Sequence, residues 1–261
     1  MSVSRLILNG LRNPRRAIAI ITYNLLRFIG HDQYLKFIVL SRSRAGSNLV
    51  ISLLNSHPHI YVDREIFSKL GGKDYRDILS RTYGKQPFYI KAKGFKIFYY
   101  HPQDAPDCGI WDALAADKEI HIIHLKRENI LRTLVSRRIA GITDVWGEKT
   151  NLPAKKSRNE VKISFTKEEL EQGFLRTRDW EEEADRRFKD HPQLQISYEE
   201  LVNQPEDVHR KLASFLGVDA IQMETKLVKQ NTRPLSETIR NFHSLKEAFS
   251  GSEWAAFFEE E

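Results

Sequence analysis

Arg42–Asn48 gathers what an oxyanion needs: two arginines, a glycine, and hydroxyl and amide side chains in seven consecutive positions. Gly46 lets the backbone approach a phosphate or sulfate closely. Ser47 offers a hydroxyl donor, and Arg44 a planar fork of N–H groups matched to phosphate or sulfate oxygens. A second group follows at Arg127 and, nine positions on (136 − 127 = 9), Ser136. An arginine and a serine so placed can clasp one phosphate from two sides. The nucleoside-triphosphatase pattern Gly-x-x-x-x-Gly-Lys-Ser/Thr is not met. Ser41 stands at its first glycine, and no lysine follows Gly46. A Mg²⁺-dependent ATPase or kinase is therefore disfavoured.

These residues need a strand end and a helix start to position them. Lys36–Leu40 is a short, apolar, β-branched run that reads as a buried strand. After the polar loop, Leu49, Leu53 and Leu54 recur at helical spacing. Strand, tight loop and helix open an α/β nucleotide-binding domain, and the helix N-terminus supplies N–H groups and partial positive charge. Glu119–Leu125 reads as another buried strand and Arg127–Ala140 as a helix, which puts Arg127 on the ligand side of an open sheet. One or two strands are expected in Phe88–Tyr100. Thr166–Lys189 reads as a charged helix with a capping box between Thr166 and Glu169. Leu194–Ile196 reads as a strand, and Pro205–Leu216 as a helix closed by Gly217. Residues 142–165 are polar and lack a period, and the tail from Asn231 is polar and basic.

The 261 residues suit one domain, and 41% hydrophobic residues mark a globular chain. A net charge of +6 suits an anionic partner without choosing one. Acidic runs such as Glu181–Glu183 interrupt the basic ones, so nucleic acid is not the expected partner. The single cysteine, Cys108, excludes an internal disulfide and a cysteine-rich zinc site. No metal is expected. No segment reaches the ~18 apolar residues that span a bilayer. Ala17–Ile29 is apolar but holds Thr22, Asn24 and Arg27, and follows Arg12, Arg15 and Arg16. It reads as a helix packed on the domain or a basic amphipathic helix on a membrane surface.

Taken together, the two anion groups resemble the sulfotransferases that use 3′-phosphoadenylyl sulfate (PAPS). Phe37–Leu49 is similar to the family's strand, basic residue, small residue, Gly and Ser opening a helix. Arg127 and Ser136 look like its arginine at a strand end and serine on the next helix. Ile196–Gly217 resembles its Tyr-Glu-x-Leu…Pro…Phe-Leu-Gly segment. Arg233–His243 resembles the C-terminus of bacterial nodulation-type members, which sulfate lipo-chitooligosaccharides. There are departures: Arg44 stands where most cytosolic members have lysine, and much of the family spaces its serine eight residues after the arginine. The glycine-rich C-terminal phosphate loop of the animal enzymes is absent, and Arg233 and Arg240 are the candidates to replace it.

The resemblance implies a three-layer α/β/α P-loop-like fold with a central parallel sheet. Residues 1–34 read from their own pattern as an N-terminal helical arm, and the resemblance implies a sulfotransferase domain at 35–261, with 142–190 as a variable lid on the acceptor side. PAPS would be the donor, leaving as adenosine 3′,5′-bisphosphate. Arg42, Arg44, Ala45, Gly46, Ser47 and Asn48 would hold the 5′-phosphosulfate, with Arg44 stabilising the leaving phosphate. Arg127 and Ser136 would hold the 3′-phosphate. Glu65 is the first choice of general base, with Asp63, His57, His59 and His101 as rivals. The implied acceptor is a carbohydrate or glycolipid hydroxyl. The expected location is the cytoplasm, with peripheral membrane contact through the arm. A binding protein without turnover and a P-loop kinase are the alternative readings.

Overall fold

A computed structural model describes residues 22–23, 25–144, 161–225 and 233–259. The expected arm helix before residue 22, the basic run Lys155–Arg158 and the start of the tail at Asn231 lie outside the described residues. Within the arm, residues 25–28 are helical.

The strands run β1 (Leu35–Ser41), β2 (Ile60–Asp63), β3 (Ala92–Phe98), β4 (His121–Lys126) and β5 (Gln193–Ser197). The helices run α1 (Ser47–Leu54), α2 (Tyr75–Thr82), α3 (Ile110–Ala116), α4 (Ile130–Thr143), α5 (Lys167–Arg187), α6 (Tyr198–Asn203), α7 (Pro205–Phe215), α8 (Leu235–Thr238) and α9 (Phe242–Phe249). The strands form one parallel sheet in the order β2-β3-β1-β4-β5. β1 is central, and Phe37 to Leu40 are fully buried. A strand covered on both faces needs no polar alternation, which is why this run is continuously apolar. Gly94 lets β3 approach β1: a Cβ there would stand 2.5 Å from the Phe37 carbonyl oxygen.

Period two divides the sheet's side chains between two layers. Phe37 and Val39 face α1, α6 and α7, while Ile38 and Leu40 face α2, α3 and the end of α5. The α/β/α expectation is met. A third cluster joins α4, the first half of α5, α8, α9 and the turn Ala255–Phe258. It forms a helical wall beside the sheet. Thr166 caps α5 with both halves of the capping box in place, as its spacing predicts, a feature worth about 1 kcal/mol.

Of the one or two strands expected in Phe88–Tyr100 there is one, Ala92–Phe98, and Phe88 is exposed in the preceding loop. The structure corrects two other sequence readings. The tail is not simply polar: Phe242, Leu245 and Phe249 are buried along α9. β2, α2 and α3 add elements that periodicity did not reveal, being only four to eight residues long.

Register then sets the site. Ser41 pairs with Phe98 and Leu40 with His124, so the carboxyl ends of β1, β3 and β4 open on one edge. Ligands of open parallel sheets bind at that edge.

Candidate active site

The loop after β1 turns through two left-handed residues, Arg44 at φ 71° and Gly46 at φ 97°. The second is the N-cap of α1, and no side chain caps the helix there. First-turn N–H groups and the helix dipole therefore point at the loop's concave side. A Cβ on Gly46 would lie 2.4 Å from the Tyr198 ring, so glycine is required on two grounds. Ala45 and Ser47 are buried, which leaves Ala45 only backbone to offer a ligand.

Arg44, Arg127 and Ser136 converge, although 83 and 92 residues separate Arg44 from the other two. The Arg44 Nε–H donates to Ser136 Oγ at 2.9 Å. Arg127 stacks over the Tyr198 ring at 4.3 Å and donates to the Arg44 carbonyl at 3.4 Å. Glu199 stands 3.6 Å from its Nε. The Asn129 side chain caps α4 and sets where Ser136 falls on the helix. Arg127, Arg132, Ser136, Arg233, Leu235 and Thr238 line one pocket. Three arginines around one cavity concentrate positive charge there. Arg233 is held by Glu237 one turn along α8. Arg240 is exposed, and its backbone N–H donates to the Ile163 carbonyl in the helical wall. Of the two tail arginines, only Arg233 lines this pocket.

Arg42 turns the other way. It is buried, its Nη1–H donates to Thr177 Oγ1 of α5, and its guanidinium lies 6.0 Å from the Trp180 ring centre. Burial, reinforced by Arg137, pulls its pKa down to about 10. Its side chain belongs to the α5 side rather than to the anion pocket.

Glu65 meets the buried Lys96 at 2.8 Å, and Lys96 also donates to Asn48 Oδ1 at 2.7 Å. Lys96 thus ties the candidate base to the loop. Burial lowers its pKa, and Glu65 opposes that shift. Lys96 is the site residue that sequence reasoning missed. The available signal was a lysine inside an aromatic strand, where a charge needs a partner. Asp63 is ion-paired with the buried Lys93. His57 Nε2 contacts the Asp219 carbonyl and its Nδ1 accepts from the His59 N–H, so it shapes a turn. His59 contacts the Tyr89 carbonyl. His101 is buried, and burial pushes its pKa down to about 4. Its Nδ1 accepts the Phe98 N–H, so the ring proton sits on Nε2, which lacks a partner. This tautomer offers no free base toward the loop.

At the end of β4, Tyr99 Oη lies 2.7 Å from His124 Nε2, and His124 Nδ1 lies 2.8 Å from Asp185. Lys126 completes the chain at 2.8 Å from the other Asp185 oxygen. Burial raises the Asp185 pKa, but hydrogen bonds from His124 and Lys126 outweigh it and bring it to about 2. Among the described residues no group of three or more His, Cys, Asp or Glu is placed to hold a metal ion.

No family model matches the chain. Nodulation protein H of Rhizobium tropici is 29% identical over 245 residues, covering 85% of this chain and 92% of that protein. Nodulation protein H of Rhizobium meliloti strain 1021 is 26% identical over 238 residues, covering 85% and 94%. The nodulation-type resemblance read from short segments therefore extends over most of both chains. Among solved structures, a sulfotransferase from Alicyclobacillus acidocaldarius aligns with TM-score 0.46 and 18% identity, over 82% of this chain and 90% of its own. A mouse sulfotransferase complexed with PAP aligns with TM-score 0.43 and 15% identity, over 90% and 92%.

Proposed function

We propose that this chain is a sulfotransferase that moves a sulfuryl group from PAPS to a hydroxyl of a carbohydrate or glycolipid. The observation that carries the reading is the meeting of Arg44, Arg127 and Ser136 at one loop. The backbone of Ala45–Asn48 and the Arg44 guanidinium hold the 5′-phosphosulfate. Arg127 and Ser136, with Arg233 in the same pocket, hold the 3′-phosphate. Kinship with the nodulation protein H sequences supports the carbohydrate acceptor.

The acceptor oxygen attacks sulfur, the new O–S bond forms, and the S–O bond to the 5′-phosphate breaks. The electron pair leaves on the phosphate oxygen, where Arg44 and the α1 N-terminus stabilise it. The hydroxyl proton passes to Glu65, whose Oε1 Lys96 holds in place. As with phosphoryl transfer, positioning and electrostatics supply most of the rate. The test uses labelled PAPS with a panel of oligosaccharides and glycolipids. Transfer by the wild type and its loss in Glu65→Gln, with donor binding kept, support the assignment. Full turnover in Glu65→Gln refutes the base.

Peripheral membrane contact of a cytoplasmic protein is the second part of the reading. Phe28 is 81% and Phe88 70% exposed, with Leu25 and Ile29 also exposed. His31 stacks on Phe88 at 5.5 Å, which brings the arm and that loop into one apolar patch. Such a patch beside Arg27, Arg81 and Lys85 suits an anionic lipid surface. No described helix is long and apolar enough to cross a membrane. Co-sedimentation with vesicles of anionic phospholipid that is unchanged by Phe28→Asp and Phe88→Asp together refutes this contact.

A further inference from the structure

On the side of the loop away from the anion pocket, three aromatic rings meet at the carboxyl edge of the sheet. Tyr99 and Tyr100 follow β3 directly, and Trp180 comes from α5. Tyr100 and Trp180 centre 5.4 Å apart, and Tyr99 and Trp180 6.1 Å apart. Tyr100 and Trp180 are half-buried, while the Tyr99 hydroxyl turns inward to His124. Arg42 braces the group from below through Thr177 and Trp180, and Arg137 lies 5.8 Å from the Tyr100 ring centre.

Glu181 follows Trp180 and lies four residues after Thr177 on α5 (181 − 177 = 4). Its carboxylate makes no hydrogen bond or ion pair among the described residues. The charged and titratable groups that act on it are Lys126 of β4, Arg42 of the loop, Asp185 of α5 and, across the sheet, Tyr99. Burial holds its pKa up to about 7. The carboxylate keeps acceptor capacity that no described protein group fills, so hydroxyl donors of a ligand can take it up. Nearby, Arg42 keeps a buried Nε–H without a partner. A half-buried aromatic pair beside a carboxylate without a protein partner matches a sugar ring, with apolar C–H surface on one side and hydroxyl donors at its edge.

α4 sets this wall beside the donor pocket. Ser136 reaches Arg44, while the next residue, Arg137, reaches Tyr100. Neighbours on a helix point about 100° apart, so one helix turn serves both sides of the loop. We propose that Trp180 and Tyr100 stack the acceptor sugar and that Glu181 accepts hydrogen bonds from its hydroxyls. Tyr99 and Arg42 position these groups. The inference rests on the sulfuryl-transfer reading and names the acceptor subsite of that same site.

The test compares the wild type with Trp180→Ala, Trp180→Phe, Tyr100→Ala and Glu181→Gln. It reads adenosine 3′,5′-bisphosphate affinity by calorimetry and the KM for a chito-oligosaccharide. Trp180→Ala and Glu181→Gln are expected to raise the acceptor KM about tenfold or more, with Trp180→Phe near wild type and bisphosphate affinity within twofold throughout. An unchanged acceptor KM in Trp180→Ala and Glu181→Gln overturns the subsite and leaves the transferase reading standing. Equal loss of acceptor and bisphosphate binding in Trp180→Ala assigns the wall a structural role and also overturns it. A wild type that binds bisphosphate but transfers to no oligosaccharide overturns the sugar assignment. Absence of any bisphosphate binding by the wild type sinks the parent reading instead.

Discussion

On the α4 side of the loop, Arg44 and Arg127 are held by a serine hydroxyl, a backbone carbonyl, a tyrosine face and a carboxylate. On the α5 side, Arg42 is buried against Thr177 and Trp180, and Glu181 makes no hydrogen bond among the described residues. The first side is polar and preorganised for an anion. The second is aromatic, with a buried Arg42 Nε–H that has no partner among the described residues. The contrast teaches that two arginines two residues apart on one seven-residue loop take different sets of partners.

The strongest test of the contrast is Arg44→Ala. Loss of a preorganised donor to a leaving group costs about 10²–10³ in rate, and a drop of that order in kcat/KM for PAPS is expected. Turnover and donor affinity both kept in this variant would end the distinction between the sides. Arg42→Ala should instead weaken acceptor use and spare bisphosphate binding, since its contacts lie on α5.

Gly46→Ala ranks next. A side chain at φ 97° facing the Tyr198 ring at 2.4 Å should cost about 1–3 kcal/mol of stability and lower bisphosphate affinity. Thermal melting and calorimetry check it, and an unshifted melting temperature would contradict the strained-loop geometry. Ser136→Ala removes one hydroxyl contact worth about 1 kcal/mol, so bisphosphate should bind about fivefold more weakly with the acceptor KM unchanged.

The smallest effect sharpens the other side. The folded pKa of Glu181 is raised by burial to about 7, above the ordinary carboxylate value of 4.5. The unfolded chain therefore releases this proton first, and the native state loses stability as pH rises from about 4.5 to about 7. Glu181→Gln avoids that cost. Its melting temperature should exceed the wild type's by a few degrees at pH 8 and match it near pH 4. A difference independent of pH would place Glu181 in a wetter setting.

Much of the donor side was legible because its parts are local. A continuous apolar run read as β1, a glycine before a leucine-spaced helix read as a helix N-terminus, and Thr166 with Glu169 read as a cap. Each signal lies within a few residues and follows from backbone geometry. The sequence reading gives Arg44 the leaving phosphate but also sets Arg42 on the phosphosulfate, and nothing local shows that the Arg42 side chain turns to Thr177 instead. Lys96 was hidden for a related reason: its charge makes sense only once Glu65 and Asn48 are beside it.

The sequence by itself therefore determined the α/β class, the central strand and the glycine-containing loop that opens a helix. Those follow from periodicity, glycine conformation and side-chain chemistry, which act over short stretches. Only the tertiary structure decided which arginine faces which pocket, that Arg233 and not Arg240 lines the cavity with Arg127, and that Tyr99, Tyr100, Trp180 and Glu181 share a wall. The physical reason is sequence separation. Parallel pairing in the order β2-β3-β1-β4-β5 brings strand ends from distant segments to one edge, and no local pattern encodes which side chains then meet.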